Sequence, residues 1–166
     1  MTLRIVRDSR EQNGFSFGGY DCVVEDGSLA TGDYSLAGLE GVVAVERKSL
    51  DDLIGCLAGE RERFERELAR GRGLDFFAVV VEAGWEDLAG GRYRSRMKPH
   101  AACQSILAMM QRWRCPFFFG GSREGAEYAA YWLLSKFLRE TVTRLETIQK
   151  KHGAGGNMSV APAALQ

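Results

Sequence analysis

Histidine and cysteine are scarce in this chain, and neither sign of charge is in excess. The 166 residues include two histidines and four cysteines, and no two cysteines have the C-x-x-C spacing. Because structural zinc sites use clusters of cysteine and histidine, the composition argues against a zinc site. A chain of this length can also fold on an apolar core without a disulfide framework. We therefore expect four reduced thiols, at Cys22, Cys56, Cys103 and Cys115.

A net charge and a long apolar run are also missing. Lysine plus arginine and aspartate plus glutamate both number 22, so the formal net charge is zero. An overall basic bias toward nucleic acid is therefore absent, although a local basic patch can still bind a polyanion. The first residues, MTLRIVRDSREQNG, contain no signal peptide, and no apolar stretch approaches the length of a membrane span. We expect a cytoplasmic protein.

The apolar runs that are present predict an α/β fold by their order. Runs rich in β-branched residues predict strands at 3–6, 20–25, 28–36, 42–45, 76–82 and 116–119. The pair Asp26-Gly27, after the second strand, is typical of a hairpin turn. Helical patterns predict helices over 49–59, 60–70, 99–114 and 122–149, and a loop with a basic end over 84–98. This order indicates a mixed central sheet with helices on both faces.

Acidic residues stand at the ends of several predicted strands. They are Asp8, Asp33, Glu46 and Glu82. Carboxylates that converge at one edge of a sheet repel one another unless a cation neutralises them, and Mg²⁺ prefers such oxygen ligands. Lys48 lies two residues after Glu46, on the same side of an extended strand, where an ammonium can orient water or phosphate. The pattern indicates metal-dependent phosphodiester hydrolysis, although a surface turn has the same composition.

The segment VERKSLDDLIG resembles the signature of XPF-type structure-specific endonucleases, a branch of the PD-(D/E)xK nuclease superfamily. Other motifs of that family occur in the same order and in the expected strand or helix context. GERERF resembles the step after the first helix, and FFAVVVE resembles the strand that follows it. The resemblance covers about the first 140 residues. Its motifs are Asp8-Ser9-Arg10-Glu11, Gly32-Asp33-Tyr34, Glu46-Arg47-Lys48, Asp52 and Arg63.

The resemblance implies a restriction-endonuclease-like fold and a role for each matched residue. Asp33 and Glu46 would be the central ligands of Mg²⁺ or Mn²⁺, with Asp8 as an outer carboxylate near the metal. Lys48 would orient the attacking water or stabilise the transition state. Asp52 would support the site from the first helix, although it can also belong to a capping box at the start of that helix.

The same resemblance predicts residues that meet DNA. Arg10 and Arg47 would contact the scissile phosphate or brace the acids; alternatively, they form structural salt bridges. The basic end of the loop over 84–98 is placed to meet phosphates, or only keeps the loop soluble. The predicted DNA contacts are Arg10, Arg47, Arg63, Arg94, Arg96 and Lys98, and the lesser site candidates are Glu11 and Glu82.

We predict a nuclease domain over residues 1–150 and a disordered tail over 151–166. No helix-hairpin-helix or helicase segment follows the domain. Junction recognition is therefore expected from the domain itself, from a second subunit or from an accessory DNA-binding protein. An apolar stripe on the last helix indicates a homodimer, unless it packs only on the chain's own sheet. The stripe consists of Ala130, Leu134, Phe137, Leu138, Leu145 and Ile148.

The predicted function is a Mg²⁺- or Mn²⁺-dependent DNA endonuclease. It would cut flap or branched DNA near junctions of duplex and single strand, in repair or recombination. Two alternatives stay open: a non-catalytic DNA-binding scaffold of a nuclease complex, and another PD-(D/E)xK nuclease such as a junction resolvase. The presence of Asp33, Glu46 and Lys48 argues against the scaffold. The lack of appended domains favours a bacterial or phage-encoded, nucleoid-associated protein of the cytoplasm that is not secreted.

Overall fold

The computed structural model describes residues 2–153. The strands are β1 (Leu3–Asp8), β2 (Cys22–Gly27), β3 (Tyr34–Leu36), β4 (Val43–Lys48), β5 (Phe76–Val81) and β6 (Phe117–Phe119). The helices are α1 (Leu50–Ala58), α2 (Arg61–Gly71), α3 (Trp85–Ala89), α4 (Pro99–Trp113) and α5 (Arg123–His152). The predicted tail is thus helical at residues 151 and 152, and from residue 154 onward it lies outside the described residues.

The strands form one mixed sheet in the order β2-β1-β3-β4-β5-β6. β1 runs parallel to β2, β3 runs antiparallel to both of its neighbours, and β4, β5 and β6 run parallel to one another. The central strands β4 and β5 are buried along almost their whole length, as expected for strands covered on both faces. The predicted α/β class with a mixed central sheet is confirmed.

The predicted hairpin after β2 is wrong. β2 pairs with β1 in parallel, from Leu3 opposite Cys22 to Asp8 opposite Gly27. A tight turn joins only antiparallel neighbours, so here the chain instead crosses to the other side of β1 before β3 begins. The third strand is also shorter than predicted, because only Tyr34–Leu36 pair with neighbouring strands.

The predicted helix starts are confirmed at three positions. The Ser49 hydroxyl accepts a hydrogen bond from the Asp52 N–H, and the Ser122 hydroxyl accepts one from the Gly125 N–H. Pro99 is the first residue of α4, where its missing N–H costs nothing. Each of these signals acts within one helical turn, which is why it can be found in the sequence.

The predicted loop over 84–98 contains a helix, so this part of the prediction is wrong. The Gly84 N–H donates to the Asp87 carboxylate at 2.8 Å, which starts α3. α3 has five residues, too few to show a helical repeat in the sequence.

Each face of the sheet packs on its own hydrophobic core. On one face α1, α2 and α4 cover Ala44 and Val79, and Ile106 is fully buried there. On the other face α5 covers Val45 and Tyr34. Helices on both faces are thereby confirmed. Consecutive side chains of β4 alternate between the two sides, and this alternation divides the candidate site.

The apolar stripe on α5 divides into two parts. Ala130 and Leu134 are fully buried against the chain's own sheet, and the next two members are partly buried there. Leu145 and Ile148 are 52% and 50% exposed, on a stretch of α5 in which residues 143–150 are all exposed. The alternative of packing on the chain's own sheet therefore describes the first four members and not the last two.

The four cysteines carry free thiols, as the composition predicts. Burial raises the pKa of the Cys56 and Cys115 thiols, so both stay protonated near neutral pH. Of the helices between residues 2 and 153, none is both long and apolar enough to span a bilayer.

Candidate active site

The carboxyl ends of β1, β4 and β5 meet at one edge of the sheet. β1 ends at Asp8, and the last three residues of β4 are Glu46, Arg47 and Lys48. Glu82 follows β5, and its N–H donates to the Lys48 carbonyl at 2.9 Å. β4 is longer than predicted because the backbone of these charged residues pairs with β5. The sheet therefore collects at one edge acids that are distant in sequence.

Asp33 reaches the same edge from the turn before β3. Gly32 has a φ of 79°, and a Cβ there would lie 2.9 Å from the Ala44 Cβ, so both conformation and space require glycine. The Asp33 N–H donates to the Val45 carbonyl at 2.9 Å, and its carbonyl accepts from the Asp8 N–H at 2.8 Å. These bonds hold the Asp33 backbone between β1 and β4.

A cavity of about 330 Å³ opens at this edge. It brings together four of the predicted catalytic residues, Asp8, Asp33, Glu46 and Lys48, from separate segments of the chain. The other residues of its wall are Arg10, Glu11, Ala30, Thr31, Gly32, Arg63, Glu67 and Arg70. The cavity thus combines carboxylates in its wall with several arginines, the composition expected where a cation and a phosphate bind together.

Asp33 and Glu46 are carboxyl groups whose surroundings oppose their ionisation; Glu46 is buried and Asp33 is partly buried. Burial raises the pKa of Asp33 to about 6, even though the Arg47 N–H donates to its Oδ2 at 2.7 Å. Burial also raises the pKa of Glu46 well above its usual range, and the charge on Asp33 adds to the rise. A divalent cation between two such groups would stabilise both carboxylates, so their chemistry fits a metal.

Lys48 lies on the same side of β4 as Glu46, as strand alternation predicts. Its ammonium donates to the Glu46 carboxylate and lies 5.5 Å from the centre of the Phe64 ring. Burial alone would lower the pKa of Lys48, but the Glu46 and Glu67 carboxylates outweigh burial and the pKa rises. Lys48 therefore stays protonated and acts as a fixed positive charge.

Asp8 differs from Asp33 and Glu46 because both of its carboxylate oxygens already accept hydrogen bonds. Arg10 donates from Nε to Oδ1 at 2.8 Å and from Nη2 to Oδ2 at 3.0 Å, and the Leu29 N–H donates to Oδ2 at 2.8 Å. The Arg10 side chain lowers the pKa of Asp8 to about 2. In this arrangement Asp8 orients Arg10 at the cavity, and its role as an outer metal ligand stays a prediction.

Arg47 faces the opposite side of β4 and lies outside the cavity. Its guanidinium contacts Glu11 at 3.2 Å and Glu82 at 3.0 Å, and the three side chains are between 8% and 13% exposed. Arg47 therefore braces acids, which is one of its two predicted roles, and in this structure it does not reach the cavity. Glu82, a lesser site candidate, is 13% exposed and paired with Arg47.

Asp52 lies beside the main cavity rather than in it. It lines a second cavity of about 320 Å³, whose wall shares Lys48, Arg63 and Glu67 with the first. The Asp52 N–H donates to the Ser49 Oγ at 3.1 Å, and its carboxylate accepts from the Ser49 hydroxyl at 2.7 Å. Ser49 therefore caps α1, and Asp52 holds the hydroxyl of that cap while it lies next to the site.

The predicted DNA contacts differ in their distance from the main cavity. Arg10 and Arg63 line it and are exposed. Arg94 lies 3.4 Å from the Asp51 carboxylate at the start of α1, outside both cavities. Arg96 and Lys98, on the same exposed loop, also lie outside both. The loop therefore forms an adjacent basic surface.

Sequence reasoning missed Glu67, Arg70 and Arg123. Glu67 and Arg70 line the main cavity and share a face of α2 with Arg63. The sequence contains that spacing, but charged residues on several faces of RERFERELARG hide it. Arg123 forms an ion pair with Glu82, and no local pattern relates two residues so far apart in the chain.

Within residues 2–153, no three His, Cys, Asp or Glu side chains form a group that could hold a metal ion. Mg²⁺ is nonetheless commonly bound by one or two carboxylates together with waters and substrate phosphate oxygens. Asp33 and Glu46 fit such a site, with the remaining ligands supplied by water and DNA.

The sheet order and the acids at its edge define the class of this protein as a restriction-endonuclease-like α/β domain. The ERCC4 domain family matches residues 4–131. Because the match covers most of the chain, this protein belongs to the ERCC4 domain family. The predicted XPF-type nuclease domain is thereby confirmed, and membership supports a structure-specific, nuclease-like role on DNA.

Two solved structures share the fold. XPF from Aeropyrum pernix is 18% identical with a TM-score of 0.64, over 98% of this chain and 69% of that chain. XPF from Aeropyrum pernix in a complex with DNA is 19% identical with a TM-score of 0.66, over 83% of this chain and 66% of that chain. No curated protein sequence matches this chain. At this identity the structural likeness establishes the fold alone.

Proposed function

We propose that this domain is a Mg²⁺- or Mn²⁺-dependent endodeoxyribonuclease that acts near junctions of duplex and single-stranded DNA. One observation carries the proposal. Asp33 and Glu46, two carboxyl groups with raised pKa, share a cavity with the protonated Lys48. Fixed charges of this kind suit hydrolysis of a phosphodiester, because the negative charge on phosphate grows as water attacks.

Each residue of the cavity has a distinct part in this chemistry. Asp33 and Glu46 would hold the cation, which when bound lowers the pKa of water and neutralises phosphate charge. Lys48 orients the attacking water or stabilises the charge that develops on the phosphate. Attack in line with the 3′ oxygen as the leaving group would give 5′-phosphate and 3′-hydroxyl ends.

Arginines around the cavity favour a polyanionic substrate. Arg10 and Arg63 are exposed there, and Arg70 shares the same wall. Arginine binds phosphate oxygens with two parallel hydrogen bonds, which fixes the strand without reading its bases. A structure of XPF from Aeropyrum pernix in a complex with DNA supports DNA as the polyanion. We propose that deformable junctions are preferred over plain duplex, because a bent strand reaches an edge cavity at lower cost.

Cleavage of labelled substrates tests the proposal. A flap, a four-way junction and a plain duplex are incubated with wild type in Mg²⁺, in Mn²⁺ and in EDTA. We expect metal-dependent cutting of the flap, lost in Glu46→Gln and kept in Glu62→Gln, an exposed acid of α2. Flap binding without cutting would favour the scaffold alternative, and preferential cutting of the four-way junction would favour the resolvase alternative.

Partners and setting belong to the same proposal. Leu145 and Ile148 are exposed on α5, so a homodimer through this end of the helix would bury apolar surface. Loss of a dimer in Leu145→Glu, measured by analytical ultracentrifugation, would support it, and a wild-type monomer would contradict it. An accessory DNA-binding protein, a role in repair or recombination, and a nucleoid-associated location in the cytoplasm of a bacterium, or a phage origin, stay predictions.

A further inference from the structure

Four side chains of alternating charge form a continuous chain of ion pairs behind the candidate site. Arg47 contacts Glu11 at 3.2 Å and Glu82 at 3.0 Å, and Arg123 contacts the same Glu82 oxygen at 2.5 Å. The side chains of Glu11, Arg47 and Glu82 are nearly buried. The Arg123 side chain is 42% exposed. Because these charges alternate, removal of one leaves a poorly compensated neighbour in a dry environment.

Arg123 connects parts of the chain that are far apart in sequence. Its Nη2 donates to the carbonyl oxygens of Asn13 at 2.7 Å and Gly14 at 2.9 Å, and its guanidinium carbon lies 5.1 Å from the centre of the Phe15 ring. Through these bonds and the pair with Glu82, Arg123 joins the loop after β1, the end of β5 and the start of α5. A planar guanidinium reaches these acceptors from two nitrogens in a fixed geometry, whereas an ammonium would have to reach all of them from one nitrogen.

The chain of ion pairs leads directly to the candidate metal ligands. Arg47 lies between Glu46 and Lys48 in β4, and its N–H donates to Asp33 Oδ2 at 2.7 Å. A movement of Arg47 therefore shifts both carboxylates and the ammonium together. Arg123 itself is not part of the cavity wall. The ion pairs give it a path to the candidate ligands through Glu82 and Arg47, beside its bonds to the loop of Asn13 and Gly14.

We propose that Arg123 is a positioning residue that keeps Asp33 and Glu46 in the geometry that binds the cation. The proposal rests on the proposed function, since it concerns the same metal site. Residues that orient metal ligands without contacting the metal typically change metal affinity or activity by about 10- to 100-fold.

The test measures Mn²⁺ binding to the protein without DNA, by electron paramagnetic resonance of the free ion, beside kcat and KM for flap cleavage. We expect Arg123→Gln to weaken Mn²⁺ binding and lower kcat by about 10-fold, with a smaller change in KM. Arg123→Lys should recover part of the loss, because it keeps the pair with Glu82. Arg144→Gln, an exposed arginine near the other end of α5, should behave as wild type.

A second variant separates positioning from a general loss of stability. Glu82→Gln keeps the size of the side chain and removes the charge through which Arg123 acts. We expect it to weaken Mn²⁺ binding as well, and Arg123→Gln added to it should have little further effect. Wild-type Mn²⁺ affinity in Glu82→Gln would overturn the proposal even where Arg123→Gln does not fold. Where Arg123→Gln folds, full additivity in the double variant would overturn it as well.

Different results would contradict the positioning role of Arg123 and the proposed nuclease function. Metal-dependent cleavage by wild type, with Mn²⁺ affinity unchanged in folded Arg123→Gln, would overturn the positioning role and leave the proposed function intact. Wild type that neither binds Mn²⁺ nor cuts any substrate would overturn both.

Discussion

The two sides of β4 use the same types of charged group for different purposes. Glu46 and Lys48 face a cavity in which burial raises the pKa of Asp33 and Glu46. Arg47, between them, faces Glu11 and Glu82, whose carboxylates are paired with its guanidinium. Incompletely neutralised acids are suited to bind a further cation, whereas paired charges hold the backbone. Because consecutive side chains of β4 point to opposite sides of the sheet, Glu46 and Lys48 face the cavity while Arg47 faces the paired acids.

The largest expected effect concerns the cavity side. We expect Glu46→Gln to slow flap cleavage by about 10³-fold. The free energy of unfolding of the metal-free protein should fall by only about 1 to 2 kcal/mol, because the amide oxygen can still accept a hydrogen bond from the Lys48 ammonium. Cleavage assays and urea unfolding measure the two quantities. A loss of several kcal/mol in the free energy of unfolding would mean that the cavity side of β4 stabilises the fold as much as the ion-paired side.

The paired side should respond in the opposite way. We expect Arg47→Gln to lower the free energy of unfolding by about 3 to 5 kcal/mol, because Glu11 and Glu82 would lose a shared partner in a buried place. Arg66→Gln is the matched control, since Arg66 is exposed and lies 3.9 Å from Glu62, a pair worth about 0 to 1 kcal/mol. Equal urea midpoints for the two variants would contradict the prediction.

The pH dependence of stability gives an intermediate effect. The pKa of Asp33 is about 6 in the folded protein, against an ordinary value of 3.8. Between these two pH values the folded state holds a proton that the unfolded state has lost. Stability of the metal-free protein should therefore fall as pH rises through this window, by roughly 1 to 3 kcal/mol.

Asp8 should act in a separate and more acidic window. Its pKa is lowered to about 2, so its contribution is present above its ordinary value of 3.8 and is lost as pH falls toward 2. Thermal unfolding across pH checks both trends. Asp33→Asn should reduce the loss between pH 4 and 6, and Glu46, whose pKa is also raised, accounts for the part that remains. An undiminished loss in this variant would refute the contribution of Asp33.

The smallest effect concerns Asp52, which bonds the Ser49 cap of α1 and lies beside the cavity. We expect Ser49→Ala to cost about 1 kcal/mol of stability and to leave cleavage nearly unchanged, because it removes only the cap. Asp52→Asn should clearly slow cleavage and change the free energy of unfolding only slightly. Equal losses of cleavage in the two variants would mean that Asp52 acts only through the helix start.

Much of the site was predictable because its signals are local. Glu46 and Lys48 share one side of β4 because extended backbone alternates with a period of two residues. Gly32 next to Asp33 marks a turn that needs a positive φ. Glu67 lies on α2 at regular spacing from Arg63, yet it was missed because neighbouring charges conceal the pattern.

Other features depend on which segments become neighbours. The Asp26-Gly27 pair predicts a hairpin, but β2 finds a parallel partner in β1. Arg10 could not be assigned from its motif, because a contact with DNA and a salt bridge with Asp8 have the same sequence. The exposed end of the stripe on α5 is likewise visible only once the sheet has covered the rest.

The sequence by itself determined the order of the strands and of the four longer helices, the helix starts at Ser49 and Ser122, and the side of β4 on which each charge lies. These depend on hydrogen bonds and geometry within a few residues. Only the tertiary structure decided that Arg123 pairs with Glu82. It also decided that the pKa of Asp33 and Glu46 is raised, whereas the buried Asp8 is paired with Arg10 and has a lowered pKa. Burial and charge pairing depend on the whole surroundings of a group, and folding brings those surroundings from distant parts of the chain.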